Sequence, residues 1–139
     1  QVGATIGFTQ MFTGLIPGYY SYYADLAESY PFEEVRPTLQ GIARIVREPV
    51  GVCALVLPWN APLILLSQKL AAGLLAGCTF VVKPSPETPL EALVLAECAE
   101  EAGLPAGVLN VVPADREAGD VLIRHPCIDK VSFTGSTEA

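Results

Sequence analysis

The chain has little positive charge: eight lysines and arginines stand against fifteen aspartates and glutamates in 139 residues, a net charge of −7. No basic cluster interrupts that balance. The electrostatic footprint for phosphate backbones or anionic lipid is therefore missing, and neither nucleic acid nor membrane is expected as a partner. Cysteine is sparse, with Cys53, Cys78, Cys98 and Cys127 lying 20 residues or more apart. That spacing forms neither a Cys-Xaa-Xaa-Cys redox pair nor a metal-ligand set. No metal is expected, and the four read as reduced, mostly buried thiols of a cytoplasmic protein. The single histidine, His125, precedes Pro126 with no cysteine or serine motif beside it and reads as an exposed loop residue. The glycine-rich fingerprint Gly-Xaa-Gly-Xaa-Xaa-Gly is absent. A clean transmembrane run is missing too, because the most apolar stretch, 61–78, is broken by Pro62, Ser67, Gln68, Lys69 and two glycines and reads as a buried helix. The opening Gln1-Val2-Gly3-Ala4 has neither initiator Met nor basic leader, so the chain reads as a piece of a longer polypeptide.

What is present is apolar: 51% hydrophobic residues against 17% charged, enough for one folded unit whose surface is partly buried against further polypeptide. From residue 50 the periodicity alternates. Val50 to Leu57, closed by Pro58, is a continuous apolar run of the kind a strand buried on both faces shows. Pro62 to Ala76, apolar nearly all round and stopped by Gly77, predicts a packed helix. Thr79 to Val82 predicts a second strand, ended by Lys83-Pro84-Ser85-Pro86. Thr88-Pro89-Leu90-Glu91 reads as a capping box opening a helix that buries Leu90, Leu93, Val94 and Cys98 and ends at Gly103 and Pro105. Val108 to Val112 is a third strand. Asp115 caps a short helix with Ala118, Val121 and Leu122 inward, and Lys130 to Thr134 is a fourth strand. The order βαβαβαβ requires right-handed crossovers and hence a doubly wound parallel sheet of the α/β class. Residues 1–49 do not alternate. Their tyrosine-rich segment and the polar run Thr38 to Arg47 read as one helix and one strand belonging to neighbouring parts of a larger protein.

Ligands of open parallel sheets bind beyond the carboxyl ends of the strands, so the residues following each strand carry the functional information. They are Pro58-Trp59-Asn60, Lys83-Pro84-Ser85, Ala114-Asp115 and Gly135-Ser136-Thr137. These offer a neutral amide donor, a cation, and a turn that opens toward a phosphate. Each also has a plain reading: Asn60 as a helix cap, Lys83 as a solvated charge, Gly135 as a turn residue.

Together, Glu48-Pro49-Val50-Gly51-Val52, Pro58-Trp59-Asn60-Ala61-Pro62-Leu63, Val82-Lys83-Pro84-Ser85 and Phe133-Thr134-Gly135-Ser136-Thr137 resemble the NAD(P)-dependent aldehyde dehydrogenases, in order and spacing, over residues 45–139. The resemblance implies a Rossmann-like cofactor domain that lacks the usual glycine fingerprint, present here in part over residues 50–139. It implies that Asn60 donates to the oxyanion formed when a thiolate attacks an aldehyde, and that Lys83 meets the adenosine ribose. Gly135 and Ser136 would then face the pyrophosphate, and the backbone around Leu57 and Trp59 would line the cofactor cleft, with Trp59 alternatively a packing residue. Ala61, Ile64 and Gln68, spaced three and four apart, would border the aldehyde channel. Many NAD-preferring members carry Glu three residues after the lysine. Here that place is Pro86, which cannot repel a 2′-phosphate, while Lys83 and Ser85 offer it a cation and a donor, so tolerance of NADP is implied. The acid comes one residue later at Glu87, either to swing into the vacated space or to face the dipole in the first turn of the following helix.

The implied reaction oxidises an aldehyde to a carboxylate through a cysteine thiohemiacetal, with NAD or NADP as hydride acceptor. The segments Glu-Leu-Gly-Gly-Lys and Gly-Gln-Xaa-Cys, which hold the general base and the nucleophile, are expected after Ala139. The 139 residues alone are therefore expected to be inactive. The complete enzyme is expected to be a homo-oligomer joined by strands outside the cofactor sheet, of which Thr38 to Arg47 resembles one. The rival reading is a non-catalytic nucleotide-binding or interaction module that retains the fold.

Overall fold

The computed structural model describes residues 2–137; Gln1, Glu138 and Ala139, the outer ends of the segments 1–49 and 50–139, lie outside the described residues. The chain opens with helix α1 (Ile6–Ala27), whose first turn is capped by Thr5 accepting the Phe8 amide at 3.4 Å. A two-stranded antiparallel ribbon follows, β1 (Glu33–Thr38) and β2 (Gly41–Val46). The strand expected over Thr38 to Arg47 is β2, and it is the second strand of a hairpin whose first strand, β1, ends where that run begins and was not expected. β1 carries Pro37, tolerated because the ribbon leaves an open edge, and the polar Glu33, Glu34 and Arg36 hide it from a search for apolar runs.

Four parallel strands form the second sheet: β3 (Val52–Val56), β4 (Thr79–Lys83), β5 (Leu109–Val111) and β6 (Lys130–Phe133), in spatial order β5-β4-β3-β6. Between them run α2 (Pro62–Leu75), α3 (Leu90–Glu101) and α4 (Arg116–Arg124). The chain steps outward from β3 to β4 to β5, then returns past β3 to lay β6 on its other side. Right-handed crossovers put α2 and α3 on one face and α4 on the other, which is the doubly wound arrangement expected. β3 and β4 are central, and their alternate residues Cys53, Leu55, Phe80 and Val82 join Leu57, Leu66, Leu70, Cys78 and Ala92 in one core. Burying each large member stabilises the fold by about 1.5–3 kcal/mol. α2 stops where Gly77 turns the chain at φ +74°, a value a side chain would strain.

Thr88 does not cap α3: its buried hydroxyl donates to the Trp59 carbonyl at 3.4 Å, and the N-cap is Pro89 with no side-chain bond. α3 turns Ala92 and Leu95 toward the core, leaving Leu90, Val94 and Cys98 exposed, because the small Ala92 allows the helix close to the sheet. α4 buries Gly119 and half-buries Leu122 while Ala118 and Val121 face out, since Lys83 already occupies the space a larger inward residue would need. Asp115 does cap α4, accepting the Ala118 amide at 2.9 Å. All four cysteines are free, but only Cys53 and Cys78 are buried; Cys98 and Cys127 sit on α3 and in the loop before β6, where nothing covers them in this chain. His125 is exposed, its Nδ1 accepting the Cys127 amide at 3.2 Å.

Candidate functional site

Because β6 returns to the far side of β3, the loops after these two strands part and leave a crevice at their carboxyl ends. A cleft of about 980 Å³ lies there. Its size is at the upper end of the roughly 300–1,000 Å³ usual for small-molecule sites. Leu57, Trp59, Asn60, Lys83, Ser85, Pro86, Gly135 and Ser136 all line it, so eight positions read from the sequence meet in one place. Ladder bonds continued past the strand ends fix its floor: the Leu57 amide donates to Lys83 O at 3.1 Å and the Thr134 amide to Val56 O at 3.1 Å. The Phe133 ring folds over Gly135, its Cζ 2.5 Å from where a Cβ would stand, so a side chain at 135 would push this half-exposed ring aside.

Lys83 is not a solvated charge. It is 6% exposed, and its ammonium donates to Ala114 O at 2.9 Å and Pro84 O at 3.1 Å. Burial pushes it below the ordinary lysine range, with Asp115 and Glu87 pulling the other way. Two of its three N–H donors are thus committed and one remains for a ligand. Ser85 donates its hydroxyl to the Glu87 carboxylate, which lines the same cleft. That bond holds Glu87 below the usual carboxylate range. The acid one place beyond Pro86 is therefore present in the cleft and charged at neutral pH.

Asn60 is exposed and makes no hydrogen bond within the described residues. The N-cap of α2 is Ala61, without a side-chain bond, so the reading of Asn60 as a cap is set aside. Its position is distinctive, because it borders the cleft and also a smaller groove of about 70 Å³ between α1 and α2. Ala61 and Ile64 line that groove with Phe8, Phe12 and Ile16 of α1. Gln68, from the same helical face, lies outside it and donates to the Tyr19 hydroxyl at 2.7 Å. Trp59 is 55% exposed and so is not a packing residue within this chain, although its carbonyl anchors Thr88.

Several residues of the two hollows were not singled out from the sequence: Gly119 and Asp120 on α4, Phe133 on β6, and the α1 aromatics. A glycine inside a helix is the one signal that pointed at Gly119. Lys69 was also passed over; it is half-buried, donates to Ser132 O at 3.0 Å, and is lowered by burial. Among the described residues there is no cluster of three or more His, Cys, Asp or Glu side chains fit to hold a metal, and no helix is long and apolar enough to cross a membrane.

Residues 1–139 match the family model described as the aldehyde dehydrogenase family. The chain is 55% identical over 119 residues to the geranial dehydrogenase of Castellaniella defragrans, covering 85% of this chain and 25% of that protein. It is 61% identical over 97 residues to the aminoacetaldehyde dehydrogenase of Pseudomonas aeruginosa, covering 69% and 20%. The chain thus spans about a quarter or less of the curated relatives it matches. Its fold superposes on an aldehyde dehydrogenase of Mycobacterium tuberculosis complexed with NAD+ at a TM-score of 0.84 and 46% identity, over 88% of this chain and 26% of that one. It also superposes on the betaine aldehyde dehydrogenase of Staphylococcus aureus in complex with NAD+ at 0.91 and 37%, over 99% and 28%.

Proposed function

Because the chain belongs to the aldehyde dehydrogenase family, we propose that it supplies the cofactor cleft and the oxyanion donor of an enzyme that oxidises an aldehyde to a carboxylate with NAD or NADP. The observation that carries the reading is the place of Asn60, an uncommitted amide where the cleft meets the α1–α2 groove. A reaction that passes hydride between two ligands needs its reacting carbon where their sites touch. A neutral N–H donor there stabilises the oxygen that gains charge as a nucleophile adds to the carbonyl, an effect of roughly 3–4 kcal/mol for one such donor. The nucleophilic cysteine and general base come from polypeptide outside these residues, since none of the four cysteines lies in the cleft.

The cleft fits a dinucleotide in size and in donor chemistry. Lys83 would hold the adenosine ribose with its remaining N–H, while the turn at Gly135 and Ser136 would meet the pyrophosphate. Leu57, Trp59, Ser85 and Pro86 would shape the walls. When bound, the nicotinamide supplies the hydride acceptor. Ala61 and Ile64 would border the aldehyde, with Gln68 holding α1 in place through Tyr19.

The same reading makes the β1–β2 ribbon an oligomer-forming element of residues 1–49 in a homo-oligomeric enzyme. Its apolar Val35 and Ile42, 67% and 76% exposed, support that role. Four unpaired cysteines favour a reducing, cytoplasmic location. The test is to purify the complete polypeptide that carries these residues, supply aldehydes with NAD or NADP, and follow NAD(P)H and acid together. Equal formation of both supports the reading. Dinucleotide binding without turnover would favour the non-catalytic rival.

A further inference from the structure

Gly119 sits in the second turn of α4, buried, where that helix crosses over Lys83. A Cβ built on Gly119 would lie 2.9 Å from Lys83 Cε, closer than real side chains approach, and 3.1 Å from Cδ, tighter than most of them do. The Lys83 methylenes cannot simply swing aside. Their far end is tied to two backbone carbonyls, Ala114 O at 2.9 Å and Pro84 O at 3.1 Å, and Ala114 immediately precedes the Asp115 that caps α4. The lysine therefore spans from the end of β4 to the start of α4 through a gap that exists only because position 119 has no side chain. Gly119 and Lys83 both line the cleft.

We infer that Gly119 is a positioning residue of the cleft, its missing side chain setting the Lys83 ammonium on Ala114 so that the third N–H is aimed at the ligand. Resting on the reading of the cleft as a dinucleotide site, this makes Gly119 act on cofactor binding without touching the aldehyde. Glycine within a helix is otherwise a disadvantage, and replacement by alanine there ordinarily stabilises. At Gly119 the collision reverses the sign.

The test is a double-mutant cycle in the complete enzyme with Gly119→Ala, Lys83→Ala and the pair. Gly119→Ala alone is expected to lower Tm and to raise the KM for dinucleotide about tenfold, the scale of losing one charge-assisted hydrogen bond, with the KM for aldehyde unchanged. In the Lys83→Ala background, where the methylenes are gone, the same substitution should raise Tm and leave dinucleotide KM unmoved. Should Gly119→Ala not fold, recovery of folding in the pair carries the same information. Additive effects, or a Tm that rises in both backgrounds, would overturn the inference while leaving the dinucleotide reading intact. Failure of the wild type to bind either dinucleotide would overturn both.

Discussion

The Ser85 hydroxyl donates to the Glu87 carboxylate, and this bond holds an acid in the cleft next to Pro86. From sequence, Pro86 leaves that place without a carboxylate and so open to a 2′-phosphate. In the fold Glu87 supplies one from the following position. A fixed carboxylate near a ribose accepts its hydroxyls and repels a phosphate there. Glu87→Gln is therefore expected to shift the ratio of kcat/KM for NADP over NAD upward by about tenfold, the equivalent of roughly 1.4 kcal/mol. Steady-state kinetics with both cofactors checks it. A ratio unchanged in Glu87→Gln but lowered in Pro86→Glu would return the selectivity to position 86.

The cysteines divide into two buried and two exposed. Burial, and then the neighbouring Cys78, push the Cys53 thiol up from 9.0 to about 11. Only the thiolate is reactive, so Cys98 and Cys127 should be alkylated in the folded chain while Cys53 and Cys78 react only on unfolding. Mass spectrometry of a timed alkylation reads this directly; early labelling of Cys53 would contradict it.

The same shift makes a pH prediction. The unfolded chain releases the Cys53 proton near pH 9, whereas the fold keeps it until about 11. Stability from this group is thus full below pH 9 and falls as pH rises through that window. Cys53→Ala should flatten the decline between pH 9 and 11 in a series of denaturant melts.

How much could be read in advance follows from what each element buries. β3 and β4 are covered on both faces, so Val52 to Val56 and Thr79 to Val82 appear as unbroken apolar runs, and the alternation with helices then dictates the sheet. Strand-end residues are legible for the same reason, because the site of such a sheet is set by topology. β1, almost wholly exposed and interrupted by Pro37, has no apolar pattern to read, whereas the run Thr38 to Arg47 that holds β2 is legible as a strand. Thr88 had a valid capping-box sequence, but α3 begins one residue later, with Pro89 as its N-cap, and the Thr88 side chain is buried with its hydroxyl donating to the Trp59 carbonyl, 29 residues away in the chain. Burial of Lys83 depends on Gly119 and Ala114, and the second wall of the groove comes from α1; neither is encoded locally.

The groove gives a prediction about substrates. Ala61 lines the groove beside Ile64, with Phe8 and Phe12 of α1 among the other lining residues, and contributes only a methyl group. Ala61→Phe should lower kcat/KM for bulky aldehydes about tenfold or more while sparing small ones, since pocket volume discriminates on this scale. A panel of straight-chain and aromatic aldehydes measures it. Equal losses across sizes would mean that Ala61 serves only to seat α1 on α2.

Among the described residues, Asn60 is the one donor that borders both hollows. Its amide makes no hydrogen bond among the described residues, is exposed, and is placed where the cleft and the groove adjoin. If it stabilises charge only as that charge develops, removing it slows the chemical step without weakening cofactor binding. The decisive measurement is the single-turnover rate of NAD(P)H formation by the complete enzyme in wild type and Asn60→Ala, with dinucleotide affinity measured on the same samples. Asn60→Ala is expected to lower the rate by roughly 10²–10³-fold at nearly unchanged affinity. An unchanged rate, or a loss confined to dinucleotide affinity, would contradict it.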